Sequence, residues 1–525
     1  MSANKRIITA TAATIAALTA LAGCGSGNAA TDENGKPLVT IFSVQSATTA
    51  DISKLGLTKP LEAACDCTIK WEVSRDASQK KNAMLAAGEI PDITLNLFST
   101  DDTTRNQAVF DDLSQHLDQM PNLKSALENK TMKHLATDEQ GHIYALPADN
   151  GKDYATSTSH LMINKQWLDK LGLPVPRTWD EFVNALEAFK TKDPNGNGKA
   201  DEIPFTVGKL DTTGIGWYSP FLFLNSTGLV TQVATASGAG GFYAKQGKVG
   251  NVLDTDNMKT VIGMLHELVE KGLMPKDALT QDSSAYNTQR AGDGSTARVG
   301  ATFGWWQSDF GDTLKSQYIG LAAPVAPGTS ADDVTWDAGR DAARYFGGKL
   351  SVAADAPNKD AIYKIVDALY SEKMSVITKY GSIPEYVSDD GNHTYTVSPK
   401  RYADVSVDLS LGSGGTYAIR DDMTIKGDQK SAGLLGVDKA YTENYKHIDW
   451  NKDVIPIWTR LTTDEANEAT NYMTPIFTYA VPQLADWIVN GGVDQGWDEY
   501  VNKLHTAGLD KAVALWQQAY DRAIK

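Results

Sequence analysis

The sequence predicts an α/β protein divided into two or more lobes. Residues 38–97 alternate strand-like and helix-like patterns in regular order, and a chain of 525 residues is too long for one hydrophobic core. Beyond residue 24 no segment is apolar enough to cross a membrane, and 42% hydrophobic residues is the content of an ordinary water-soluble globule.

Leu38 to Phe42 (LVTIF) is a short β-like run, Thr68 to Val73 (TIKWEV) alternates with period two, and Ile93 to Leu97 is a third run. A helix is expected over Asp51 to Ala64, and another over Ala77 to Ala87 with Gly88 as its left-handed stop. Strand, helix, strand, helix, strand is the signature of a parallel sheet. Ligands of such sheets lie beyond the carboxyl ends of the strands. Ser43, Gln45, Ser46, Asn96 and the Ser99–Asp102 loop are therefore candidate pocket residues.

Further along, Thr178 with Glu181 three residues on forms a capping box, and Phe182, Val183, Leu186 and Phe189 make the apolar stripe of the helix that follows. The Gly-rich stretch Ser237 to Gly250 is expected to be a loop or hairpin. A helical pattern starts at Trp497, Tyr500, Val501 and Leu504 and resumes after Gly508 with Val513, Leu515, Trp516 and Tyr520.

At the N-terminus, Lys5 and Arg6 precede an uncharged run, Ile7 to Ala22, shorter than the roughly 20 residues that span a bilayer. It reads as a secretory leader, residues 1–23. Its end, Leu21-Ala22-Gly23-Cys24, places small residues before a single Cys, the pattern of a bacterial lipobox. Cys24 is thus the expected lipid attachment point, followed by a flexible tether over 24–36. Loss of Lys5 and Arg6 leaves 47 basic against 65 acidic residues, about −18 in place of −16. Such a surface disfavours nucleic acid and anionic lipid as partners. Cys65 and Cys67, one residue apart, cannot alone complete a four-ligand zinc site. They are left with two fates: a local disulfide or pairing with external thiols.

The segment Asp193-Pro-Asn195-Gly-Asn197-Gly198-Lys199-Ala-Asp201-Glu202 carries oxygens at positions 1, 3, 5 and 9 of an EF-hand-type loop, with Gly198 at the sharp turn and the Lys199 carbonyl at position 7. Position 12 is Pro204, so the usual bidentate Glu is missing and Glu202 is the nearby substitute. Structural Ca2+ is expected there; magnesium, which prefers to keep its waters, fits less well.

Several segments together resemble the large extracellular solute-binding proteins of carbohydrate ABC importers: Asn82 to Ile93 (NAMLAAGEIPDI), Gly141 to Pro147 (GHIYALP), Leu161 to Gly172 leading into Pro176 to Phe182 (PRTWDEF), and Trp497 to Val501 with Gly508-Leu509-Asp510. The 193–202 loop is similar to the calcium loop of an oligosaccharide-binding subgroup of about 500 residues, whose ligating pattern falls on Asp193, Asn195, Asn197, Lys199, Asp201 and Glu202. The resemblance implies a two-lobed periplasmic-binding-protein-like α/β fold whose discontinuous lobes are joined by a hinge. It implies a first lobe begun by 37–150, a second begun by 151–345, and 346–525 returning to both. It also implies an oligosaccharide ligand, ABC permease subunits as partners, and a monomer held outside the cytoplasmic membrane only by its lipid.

A sugar stacks its C–H face on aromatic rings and offers its hydroxyls to planar polar groups. Trp217, Trp305, Trp306, Trp336 and Tyr386 lie in segments broken by Gly, Pro, Ser or Asp, where loop aromatics are candidates for stacking. Trp217, Trp305 and Trp306 are the first choices, with only one of the neighbouring pair 305/306 expected to stack, because adjacent residues of an extended chain face opposite ways. Tyr386 is a further aromatic candidate, and Gln45, Asn96, Asp149 and Asn150 are polar ones. No Gly-x-Ser-x-Gly, His-Glu-x-x-His or phosphate-binding loop is present. No catalytic residue is assigned, and a binding protein is expected. A receptor for peptides or other small solutes on the same fold is the alternative, and an anchored glycosidase the more distant one.

Overall fold

The structure is a computed structural model that describes residues 30–404 and 407–525. Cys24 and the leader lie outside the described residues.

The first lobe is built on a five-stranded sheet. Its strands run in the order Thr68–Ser74, Leu38–Val44, Ile93–Leu95, Tyr345–Val352 and Leu146–Asp149. Leu38–Val44 pairs in parallel with both neighbours, Leu38 opposite Thr68 and Ile41 opposite Ile93. Tyr345–Val352 enters antiparallel between Ile93–Leu95 and Leu146–Asp149. The helix Thr58–Cys65 packs on Lys359–Leu369, whose buried Ile362, Ile365, Val366 and Leu369 follow helical spacing.

The helix expected over 51–64 is interrupted. A short 3-10 turn, Ile52–Lys54, precedes Thr58–Cys65. Between them Gly56 has φ +71°, and a Cβ there would meet Ser382 at 2.5 Å. The helix expected over 77–87 is Ser78–Ala87, closed by Gly88 at φ 70°. Cys65 and Cys67 are joined to each other in a disulfide.

The end of the expected tether is docked. Thr68 donates to Asp32 (2.8 Å), Lys36 pairs with Asp66 (2.7 Å), and the Ala30 carbonyl accepts from Asn358 (2.8 Å). The strand-edge groups of Thr68 and the Asn358 amide recruit the passing chain, so residues 30–36 are not free tether.

The second lobe has a mixed four-stranded sheet in the order Tyr318–Gly320, His160–Asn164, Val299–Gly304, Ile203–Thr206. Its core includes a ring cluster: Phe182 to Phe205 at 5.8 Å, Phe205 to Phe303 at 5.9 Å and Phe223 to Phe303 at 5.2 Å between centroids. Phe182 arrives on the helix Trp179–Thr191, which starts at the Thr178–Glu181 capping box. The Gly-rich stretch forms a hairpin, Phe242–Lys245 with Lys248–Asn251, turned by Gln246 and Gly247 at positive φ.

Three C-terminal helices complete this lobe: Thr463–Asn490, Val493–Thr506 and Leu509–Ala523. The break before Leu509 is Gly508 at φ 105°. The first of the three holds Pro475 and Pro482 in its interior. These residues read locally as helix breakers, and burial of Ile476, Phe477, Ala480, Val481 and Leu484 overrides them.

The two cores are separate. One gathers side chains from 39–146 and 345–418, the other from 161–336 and 437–520. The chain passes between them near 149–155, 337–345 and 419–434.

Candidate functional site

The three crossings are bonded to one another. Arg344 forks across Asp149, Nε to Oδ1 at 2.8 Å and Nη2 to Oδ2 at 2.9 Å, and reaches Asp421 at 2.6 Å. The Asn150 backbone N–H donates to the Arg344 carbonyl, and the Asp149 and Ile419 N–H groups exchange bonds with Tyr417 and Asp149. Burial works against the Arg344 guanidinium, yet hydrogen bonds and charge from Asp149 hold its pKa above the ordinary value. The Asn150 side chain is consumed as well: its amide donates to Ala343 O (3.0 Å) and its oxygen accepts from Tyr417 (2.8 Å). Asp149 and Asn150, expected among ligand-contacting groups, are spent on the hinge.

Beside this joint lies a buried lysine. Lys379, on the helix Glu372–Tyr380, donates to the Asn150 carbonyl at 2.5 Å. Its ammonium lies 4.5 Å from the ring of Tyr154, 5.2 Å from Tyr380 and 5.7 Å from Tyr417. Burial pulls its pKa down to about 7, against the opposing charges of Asp428 and Asp149. A small cavity of about 90 Å³ opens here, with Arg401, Asp408, Asp428 and Lys430 in its wall. Nothing in the local sequence distinguishes Lys379 from a solvated helical lysine, so pattern reading passes over it.

At the carboxyl ends of the first-lobe strands, Gln45 is 5% exposed and its Nε2 has no hydrogen-bond partner among the described residues. Ser43 Oγ is in the same condition. Asn96, at φ 56°, accepts from Lys349 Nζ at 2.8 Å. Burial brings the Lys349 pKa down to about 8. A buried donor is costly to leave unpaired, so Gln45 Nε2 and Ser43 Oγ are candidate groups for a ligand.

The second lobe carries the tryptophan candidates. Trp305 follows directly on the strand Val299–Gly304. Its N–H donates to Asp309 (2.8 Å), which Arg290 also holds (2.5 Å). His160 bridges the Trp305 carbonyl, 2.5 Å from Nδ1, and the Asp438 carboxylate, 2.9 Å from Nε2. Trp217, 50% exposed, lies 6.4 Å from the Trp305 ring, tilted by 48°. The two tilted indoles lie side by side, a platform on which Trp217 is half exposed.

Trp306 is turned elsewhere: a Cβ on Gly433 would lie 1.9 Å from its ring, so that glycine exists to admit it. Both Trp305 and Trp306 pack on a small cluster of Tyr154, Ala155, Ala343 and Leu434, drawn from the three crossings. Tyr386 is not part of the platform; it packs beside Gly381 and the apolar cluster of Val387 and Tyr395. Trp336 is fully buried, stacked on Tyr441 at 4.2 Å, with its N–H on the Ser159 carbonyl.

The 193–202 loop is a tight turn. The Asp193 carboxylate accepts backbone N–H bonds from Gly196 (2.9 Å), Asn197 (3.1 Å) and Gly198 (3.0 Å). Asn195 and Asn197 both turn their amide nitrogens to Asp201 Oδ1, at 3.2 and 3.0 Å, and the Asn197 oxygen accepts from the Lys199 N–H. Glu202 Oε1 is buried without a partner, and burial, with charge from Asp193 and Asp201, raises its pKa. Asp193 thus ties the turn through its backbone, and Asn195 and Asn197 tie it through Asp201; among the described residues no three acidic or histidine side chains gather as a metal cluster.

Two lobes with separate cores, joined by three bonded crossings, define a two-lobed protein. A sequence profile for the bacterial extracellular solute-binding proteins matches residues 51–375. The chain belongs to that family. It is 42% identical to an HMO-binding, ABC-transporter-associated solute-binding protein from Bifidobacterium longum infantis, with 94% of this chain and 100% of that one covered and a TM-score of 0.89. It is 28% identical to FusA, the fructooligosaccharide ABC transporter substrate-binding protein of Streptococcus pneumoniae, over 97% of this chain and 96% of that one. The structure of FusA in complex with kestose superposes with a TM-score of 0.76 over 93% of this chain and 99% of that one, at 26% identity.

Two outcomes follow for the site. Trp217→Ala and Trp305→Ala should each weaken ligand binding by about 1–3 kcal/mol, by analogy with base stacking on aromatic side chains, measured by calorimetry. Trp306→Ala should chiefly lower the melting temperature. Lys379 bears on pH: its folded pKa of about 7 lies below the unfolded value near ~10.4. The unfolded chain therefore holds the extra proton between those values, and this group makes stability rise with pH across that window and stay flat below it. Urea melts at intervals through the window should show a shallower rise for Lys379→Met.

Proposed function

We propose that this protein captures an oligosaccharide outside the cytoplasmic membrane and presents it to the permease subunits of an ABC importer. The observation that carries the reading is full-length similarity to binding proteins for such sugars: 42% identity across 94% of the chain to the HMO-binding protein, and the same fold as FusA with kestose in place. The Trp217–Trp305 pair supplies a stacking surface, and Gln45 Nε2 supplies an unpaired donor for a hydroxyl. The relatives are substrate-binding proteins, and binding without turnover is the activity proposed. Calorimetry against a panel of neutral oligosaccharides, kestose among them, should give saturable binding with no new reducing ends after long incubation. Turnover dependent on one carboxylate would contradict this.

The 193–202 loop is proposed to hold Ca2+. The residue types support a hard cation: Glu202 Oε1 is buried and unpartnered, the charges of Asp193 and Asp201 act on it, and Asn195 and Asn197 share the same turn. The FusA structures include an EF-hand mutant, which supports a metal loop in that relative. The ion would stiffen the exit of the helix Trp179–Thr191. A ligand of the native state alone stabilises by mass action, about 2.7 kcal/mol at roughly 100 times its Kd. Chelation should lower the melting temperature of the wild type, and Asp193→Ala should melt at the chelated value with or without calcium. An unchanged wild-type melt would leave the loop a plain turn.

Cys24 is proposed as the lipidated first residue of the mature chain. The Cys24→Ser protein should appear in the culture medium, where fractionation and immunoblotting detect it. Retention at the membrane would contradict the anchor.

A further inference from the structure

The strand Val299–Gly304 ends where the pair of indoles begins. Its last pairing sets Gly304 opposite His160, the first residue of the strand His160–Asn164. There the ladder stops, and the peptide groups of Trp305 need other partners. Side chains take over at both ends. The Asp309 carboxylate accepts the Trp305 N–H (2.8 Å), and the His160 ring holds the Trp305 carbonyl, 2.5 Å from Nδ1. The fit at this strand end is close: a Cβ on Gly304 would meet Asp309 at 2.5 Å and both Arg290 and Met162 at 2.7 Å.

His160 is fully buried. A carbonyl oxygen only accepts, so Nδ1 carries a proton in any tautomer that makes this bond. The other nitrogen, Nε2, lies 2.9 Å from Asp438 Oδ1. A hydrogen bond at one ring nitrogen settles the role of the other, and here it also holds the plane of the ring. Asp438 is itself 5% exposed and is the last residue of the helix Gln429–Asp438. Its second oxygen accepts the Thr156 N–H at 2.6 Å. Thr156 lies just past the first crossing and Asp438 just past the third. The chain Thr156, Asp438, His160 therefore runs from two crossings to the backbone of one indole. Apolar side chains of similar volume fill a core at no greater cost than a buried imidazole and carboxylate, so the use of this pair lies in where it holds Trp305.

We propose that His160 is a positioning residue for sugar binding: oriented by Asp438, it holds the Trp305 carbonyl and so sets the indole at the angle a sugar ring meets. This rests on the reading of the protein as an oligosaccharide receptor with Trp305 as a stacking surface. His160 touches no sugar and acts through Trp305.

The test separates the two ring nitrogens. Asparagine places an amide N–H near the position of Nδ1, and glutamine near that of Nε2. His160→Asn keeps the donor to Trp305 and gives up Asp438, whereas His160→Gln keeps the contact with Asp438 and gives up Trp305. Calorimetry of the full soluble chain uses the panel sugar that binds wild type most tightly, with kestose as the first probe. His160→Gln should bind about tenfold more weakly than His160→Asn, the scale of one net hydrogen bond. In the Trp305→Ala protein the same two substitutions should give equal affinities, because no indole is left to place. Asp438→Asn, which keeps the shape of its side chain, decides the matter where a His160 variant fails to fold: it should weaken binding severalfold in the wild type and not at all beside Trp305→Ala. Equal affinity of the folded Asn and Gln variants overturns the positioning role, as does wild-type affinity in Asp438→Asn or a penalty that persists beside Trp305→Ala; each leaves the receptor reading intact. A wild-type protein that binds no sugar of the panel overturns both.

Discussion

The bidentate pair of Arg344 and Asp149 is the joint on which the two lobes depend. It lies where the first and second crossings run side by side, and Asp421 on the third crossing completes it. A guanidinium in this setting gives up water for two parallel hydrogen bonds of fixed geometry. The pair fixes where the crossings meet, whereas each lobe keeps its own core. Removing Asp149 alone would leave a half-buried cation without its main partner, far costlier than replacing both. The site is organised around this joint. Lys379, Tyr154 and Tyr417 cluster on Asn150 beside it, and the two tryptophans after Gly304 pack against residues from all three crossings.

Much of this was legible in the residues, for physical reasons. The alternation of apolar residues in LVTIF and TIKWEV declares strands, and a capping box declares the start of a helix, because both are local. Gln45 and Asn96 were legible as residues just beyond strand ends, and Trp217 and Trp305 as aromatics outside helical stripes, which is where the structure places them; their contact with sugar belongs to the proposal. What stayed hidden depends on distant partners. Asp149 and Asn150 sit at a strand end like ligand groups, and only the presence of Arg344, Ala343 and Tyr417 across the hinge shows that they are already spent. Trp336 lies in an irregular segment yet is covered by Tyr441, more than a hundred positions away. The helix Thr463–Asn490 was obscured by two prolines whose local cost is met by tertiary burial. Residues 30–36 have the composition of a linker and are docked by contacts to Thr68, Asp66 and Asn358.

The two faces of the cleft differ in chemistry. The second lobe contributes two indoles, with the Trp305 backbone held by Asp309 and His160. The first contributes polar groups that are buried and partly unpaired. A hydroxyl-rich ring can satisfy both at once, one flat face on the aromatic wall and its edge on the polar floor. The groups on each side have little use for the other without a guest, since indole faces do not repair unpaired donors. In the proposed function the guest is what makes closure favourable, in keeping with the rule that a ligand shifts an equilibrium only by its differential contacts with the two states.

That coupling of sugar to closure is the centre of the account, and solution scattering reads it most directly. The radius of gyration of the soluble chain should fall when a bound oligosaccharide saturates it, and should not fall in the Trp217→Ala/Trp305→Ala protein at the same sugar concentration. A radius unchanged by a sugar that calorimetry shows to be bound would contradict closure between the lobes.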